Sequence, residues 1–385
     1  MYVLGGGGLG KKLKTNINDG AEMNLNKLVK AGVTFAALAA CFSAQAGSNG
    51  VTVSVSADKQ SLGKNDDVVV KVTITNTSAT PQYVLKWHTP FAGVEDHLFE
   101  ITRDGEKVPY LGRHYKRPAP TAKDYYLLKP GASTTTRVEL SSIYDMSVTG
   151  DYSIKYHAAS MNLFTSTPGA QGAVAAATEM GEIESAPVAL WIDGMHARGT
   201  KLGDPFQLAK QSNPSPMGVS FSGCTASQSS TITSAISAAK TMANSGVNYL
   251  NAGTNGSRYN KWFGTYSSTR YATARSHFAN IKDALDTKPI VVDCSCRDSY
   301  YAYVYPTQPY KIYVCNAFWT APMSGTDSKG GTLVHELSHF NVVAATDDHA
   351  YGQSAAANLA ISSPTTALDN ADSHEYFGEN SPYLN

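Results

Sequence analysis

Thr332 to Val343 reads TLVHELSHFNVV, and within it His335-Glu336-Leu337-Ser338-His339 sets two histidines four residues apart around a glutamate. On a helix, residues i and i+4 share a face, so both imidazoles reach a single metal ion. The glutamate between them projects beside that ion, where it can take a proton from water. Leu333, Val334, Leu337, Phe340 and Val343 form an apolar stripe, which predicts a helix over Thr332–Val343 buried along one side. Gly325 to Gly331 (GTDSKGG) reads as the loop before it. The spacing points to a Zn²⁺ site carried by a helix. A core helix with two incidental histidines is the plain alternative.

A catalytic zinc needs a third protein ligand if a fourth position is to stay open to water. The residue six beyond His339 is Ala345, so the HExxHxxGxxH pattern is absent, and the next histidine is His349. The segment Ala345-Thr346-Asp347-Asp348-His349-Ala350-Tyr351-Gly352 resembles the GTxDxxYG motif of the aspzincins, the deuterolysin and peptidyl-Lys metalloendopeptidase family. Carried over by position, the resemblance implies Asp348 as the third zinc ligand and Tyr351 as the oxyanion donor. Ala345 stands where the family usually has glycine. Asp347 and His349 are rival ligands by residue type. The activity implied is that of a zinc endopeptidase acting on proteins or peptides, with Glu336 as general base. A zinc-stabilised binding protein is the reading from another class; a structural zinc is normally closed by four protein ligands.

Four cysteines lie in the C-terminal half: Cys224, Cys294, Cys296 and Cys315. An even number in an exported chain reads as two disulfides with three possible pairings, and Cys294 and Cys296 are too close in sequence to bridge each other without strain. A lone C-x-C also lacks the second close pair that a zinc knuckle needs. The resemblance suggests Cys224–Cys294 and Cys296–Cys315. It also assigns Asp372 and Glu375, in Asp369 to Asn380, to acidic positions that receive a substrate lysine on the leaving-group side of the cut. Paired carboxylates in a partly closed pocket do select a cation on a long stem. A solvated acidic tail is the bland alternative, and broad deuterolysin-like specificity the functional one.

The 385 residues carry 31 Lys+Arg against 31 Asp+Glu, so nothing points to nucleic acid. No apolar run is long enough to span a bilayer, and a monomer without stable membrane association is expected. Residues 1–22 read as an extension outside any folded domain, and 23–46 as a signal peptide ending Ala44-Gln45-Ala46, hence secretion. Leu38-Ala39-Ala40-Cys41 resembles a lipobox, which would instead tether the chain through Cys41.

From Val51 to about Trp191, short alternating runs such as Val68 to Thr75 (VVVKVTIT) recur without helices between them, and Asp104-Gly105 marks a hairpin. This argues an all-β, immunoglobulin-like sandwich over 47–195. Its histidines, His88, His97, His114, His157 and His196, look scattered. The resemblance makes this domain a propeptide that inhibits its own enzyme; a permanent adhesive or substrate-binding module is the rival. No cysteine lies between the signal and Cys224, so inhibition falls to steric cover of the cleft, with a basic or polar side chain in the pocket. Residues 196–211 form a processing linker in which Lys201 and Lys210 are candidate cut sites. Residues 212–385 form an α+β, zincin-like catalytic domain, with helices at Thr225–Asn251 and Thr269–Thr287. Strands at Pro289–Cys294 and Tyr310–Cys315 would pair as a hairpin around the tyrosine-rich Tyr300–Tyr310, bordering the cleft.

Overall fold

A computed structural model describes residues 48–165, 177–194 and 218–385. The extension, the signal segment with Cys41, and the linker with Lys201 and Lys210 lie outside the described residues.

Alternation decides the N-terminal half. In the strand Val69–Asn76, Val70, Val72 and Ile74 face inward and are fully buried, while Lys71 and Thr73 face out. This strand lies between Val51–Ala57 and Ser133–Glu139 in an antiparallel sheet. On its outer face, Thr73 pairs with Thr135 and Thr75 with Ser133 through their hydroxyls. A second sheet is built around Gly150–Ser160, which pairs with Phe99–Arg103 and Val188–Ile192. The inward residues of the two sheets, among them Val72, Val138, Ile101, Ile154 and Leu190, share one core. The Asp104-Gly105 turn closes a hairpin with Glu106–Lys107, both turn residues having positive φ.

The C-terminal half is mixed α/β. Its sheet runs Val219–Ser222, Ile290–Asp293, Lys311–Val314, Ala302–Val304, His114–Lys116. The first three strands are parallel and the last two pair antiparallel. The hairpin expected of Pro289–Cys294 with Tyr310–Cys315 is therefore corrected. Those two segments pair in parallel, and the hairpin partner of Lys311–Val314 is Ala302–Val304, folded back from within the tyrosine-rich connection. The fifth strand, His114–Lys116, comes from the N-terminal half, so the two halves are not separate sheets.

Helix Ala226–Asn251 begins at Thr225, whose hydroxyl accepts from Gln228 N–H while the Gln228 side chain accepts from Thr225 N–H. It packs with Ser268–Thr287 and with the motif helix, which spans Lys329–His339 rather than Thr332–Val343. Ser328 caps this helix by accepting from Gly331 N–H, so the helix starts inside the expected loop. A Cβ on Gly331 would run into the Glu379 carboxylate, and one on Gly330 would lie 2.9 Å from Ala238 Cβ. The helix stops at His339 because Phe340 turns extended, after which the chain passes Ala345 at positive φ on its way to Asp348. Phe340 and Val343 stay buried beyond the helix end, which is why the stripe overran it. Disulfides join Cys224 to Cys294 and Cys296 to Cys315, the pairing that the resemblance suggested.

Candidate metal centre

Every residue of the motif helix is buried. His335 and His339, one turn apart, bring their Nε2 atoms to 3.1 Å. Asp348 sets Oδ1 3.4 Å from His335 Nε2 and Oδ2 3.6 Å from His339 Nε2. The other ring nitrogens fix the tautomers. His339 Nδ1–H donates to the Thr346 carbonyl at 2.8 Å, and His335 Nδ1 lies 3.0 Å from Asp372 Oδ1. His339 therefore carries its proton at Nδ1, the proximity of Asp372 favours the same tautomer for His335, and the Nε2 atoms turn toward each other and toward a carboxylate. Three acceptors in a buried space repel unless a cation lies between them. The Nε2–Nε2 separation and the distance from each ring to its nearer Asp348 oxygen, 3.1–3.6 Å, lie close to the roughly 3.3 Å edge of a tetrahedron whose centre is about 2.0–2.1 Å from each donor, as zinc requires. Burial also holds His339 well below the usual histidine range, hence neutral, and pushes Asp348 well up. Asp348 Oδ1 has no hydrogen-bond partner among the described residues. The residues fit zinc.

The rival ligands turn elsewhere. Asp347 faces His97 and His114, each at 3.4 Å, and His349 Nε2 meets Asp369 at 2.9 Å. His88 and Asp96 form a further buried pair at 3.0 Å. Three of the histidines that look scattered in sequence thus gather beside the Asp347–Tyr351 segment, His97 and His114 on Asp347 and His88 with its ring 6.2 Å from that of Tyr351. His114 brings a donor atom within 4.8 Å of donors on His339 and Asp348.

Glu336 is buried, and burial pushes its carboxyl up to about 8. Its Oε1 accepts Lys116 N–H at 3.1 Å, while Oε2 has no partner among the described residues. Tyr351 is also buried. Its ring meets Trp87 edge-on, and its hydroxyl lies 3.4 Å from Arg117 Nη1. Burial holds the phenol well above its ordinary pKa, so it remains a donor.

Asp372 and Glu375 lie on the helix Ala371–Glu379 and are fully buried, not a solvated tail. Between them sits the Lys116 ammonium, 2.8 Å from each and 3.1 Å from Asp327. The Tyr376 hydroxyl braces Asp327 at 2.8 Å. Burial alone would lower the Lys116 pKa, but Asp372 and Glu375 outweigh it and hold the ammonium charged. Burial would likewise raise Asp372, yet Lys116 and His335 keep it ionised below its usual range.

Lys116 arrives on an extended segment. His114, Tyr115 and Lys116 register with Val304, Tyr303 and Ala302, as a peptide added to the edge of the sheet would. Sequence reasoning missed Lys116, Asp327 and Thr346. The three-residue strand carries no alternation, and Asp327 sat in a segment read only as a loop.

A model of the lysine-specific metallo-endopeptidase family (aspzincin) matches residues 248–379. The chain is similar to an extracellular protease of Aeromonas hydrophila, 49% identical over 330 residues, 84% of this chain and 91% of the relative. It is similar to a peptidyl-Lys metalloendopeptidase of Armillaria mellea, 36% identical over 339 residues with 84% and 91% covered. A solved zinc peptidase from Grifola frondosa is 43% identical, covering 42% of this chain and all of its own, with a TM-score of 0.41.

Proposed function

The chain belongs to the aspzincin metalloendopeptidases, and from that premise we propose that it is a secreted, zinc-dependent endopeptidase made as a zymogen and cutting on the amino side of lysine. The observation that carries this reading is the Lys116 ammonium 2.8 Å from both Asp372 and Glu375, with Lys116 N–H on Glu336. Seen as a substrate, Lys116 supplies the residue after the scissile bond, and Tyr115–Lys116 is the bond addressed.

His335, His339 and Asp348 would hold the zinc. When bound, zinc supplies Lewis acidity to water and to the scissile carbonyl. Glu336 takes the proton from water and delivers it to the leaving nitrogen, the position that Lys116 N occupies 3.1 Å from Oε1. Burial raises the Glu336 carboxyl, which favours holding the proton it takes until it is returned to the leaving nitrogen. Tyr351 donates to the oxyanion as it develops. The N-terminal β layers, immunoglobulin-like in outline, are the prodomain of residues 47–195, joined through 196–211 to the protease of 212–385. They plug the cleft with the same side chain that a substrate would offer, which supports an intramolecular inhibitor over an adhesive module.

The test is to digest a denatured protein with wild type and with Glu336→Gln and map the cuts by mass spectrometry. Cuts confined to Xaa-Lys bonds in wild type and lost in the variant are expected. Cuts scattered over many residues would remove the lysine pocket, and an equally active variant would remove Glu336 as base.

A further inference from the structure

The docked segment offers a second cation. Arg113, three residues before Lys116, lays its guanidinium over Tyr303 at 4.5 Å and Tyr305 at 5.6 Å from the ring centroids. Its Nε–H donates to the Tyr305 hydroxyl at 2.8 Å. Tyr303 is itself stacked on Tyr313 at 4.5 Å with the rings 6° apart, so the surface beneath Arg113 is a braced aromatic shelf. All three tyrosines belong to the catalytic half, on or beside the strands Ala302–Val304 and Lys311–Val314. Arg117 differs here. It too is surrounded by rings, but Trp87 and Glu95 among its partners come from the N-terminal half and leave with it. Arg117 keeps Tyr300 and Tyr351 of the catalytic half as further neighbours, whereas the Tyr303 and Tyr305 rings and the Tyr305 hydroxyl beneath the Arg113 guanidinium all belong to that half.

We infer that Tyr303 and Tyr305 form a subsite for a basic residue, arginine above all, three positions before the lysine at the cut, so that extended Arg-x-x-Lys segments are favoured. The inference rests on the lysine-directed reading of the same cleft. Recognition comes from flat rings and a phenol oxygen rather than a carboxylate, which suits the planar guanidinium better than an ammonium. The antiparallel register fixes the distance. With Lys116 opposite Ala302 and His114 opposite Val304, the next residue back reaches Tyr305.

The test uses the zinc-loaded enzyme, expressed as the whole chain and assayed once active, on decapeptides with one lysine. The residue three before that lysine is Arg, citrulline or Ala. The Arg peptide is expected to show kcat/KM about 5- to 30-fold above the Ala peptide. Citrulline, similar in shape but uncharged, should fall near Ala. Tyr303→Leu should bring the Arg-to-Ala ratio close to one, and Tyr305→Phe should lower it partway. Equal cleavage of Arg and Ala peptides at the lysine bond would overturn the subsite while leaving the lysine pocket intact. Peptides cut elsewhere, or at lysine by neither, would overturn the pocket and this inference together.

Discussion

Ala345 holds φ at +51°, in the left-handed region that a side chain resists. It ends the reversal after the motif helix and precedes Thr346, whose carbonyl fixes the His339 tautomer. The sequence marked Ala345 only as the position where the family usually has glycine; the dihedral gives that departure a physical meaning. A Cβ there costs about 1–2 kcal/mol, and glycine returns part of the gain as unfolded-chain entropy, about 0.5–1 kcal/mol. Ala345→Gly should therefore stabilise by about 0.5–1 kcal/mol, raising the thermal midpoint by about 1–2 °C in calorimetry. An unchanged or lower midpoint would mean that the turn pins this backbone without strain. At this scale the sequence was most readable. His335, Glu336 and His339 are contiguous and bound by helix geometry, whereas Asp348 needed the resemblance to separate it from Asp347 and His349.

At the scale of elements, two helices are locked end to end through one carboxyl. Glu379, in the last turn of Ala371–Glu379, accepts from both the N–H and the hydroxyl of Ser328, the cap of the motif helix. Burial, with the nearby Glu375 adding to it, pushes Glu379 from an ordinary 4.5 up to about 9. Between those values the folded chain keeps a proton that the unfolded chain has lost. The stabilisation is thus complete below about pH 4.5, falls as pH rises, and is gone above about 9. Glu379→Gln keeps an acceptor for Ser328 but removes the titration. Its midpoint should fall less steeply than wild type between pH 5 and 9, and parallel curves would show that Glu379 is ionised in the fold. Helix ends were the least legible elements. Ser328, whose hydroxyl caps the helix, stands inside the segment read as a loop, and the stripe runs on through Phe340 and Val343 because burial outlasts the helix.

For the whole molecule, the decisive contact joins residue 116 to residues 372 and 375, and nothing in the local pattern of the intervening chain announces it. Sequence reasoning expected a basic or polar side chain in the cleft but named none, and it placed Lys201 and Lys210 in the linker only as candidate cut sites. Removing one partner from a buried ion pair costs about 3–5 kcal/mol, because the carboxylates left behind stay buried. Lys116→Gln in the full chain should therefore raise early activity on a small lysine peptide by more than about a hundredfold. A variant as latent as wild type would mean that the plug is held by its other contacts. On the zymogen reading proposed above, the covalent connection between the plug and its pocket has a kinetic consequence. While residues 116 and 372 belong to one unbroken chain, the plug is presented at an effective concentration of order millimolar, which a substrate of equal affinity must match to compete. A single cut between residues 194 and 218 turns the same contact into an encounter between two molecules. Latency then depends on how concentrated the fragments are, so release into a large volume completes an activation that cleavage only begins.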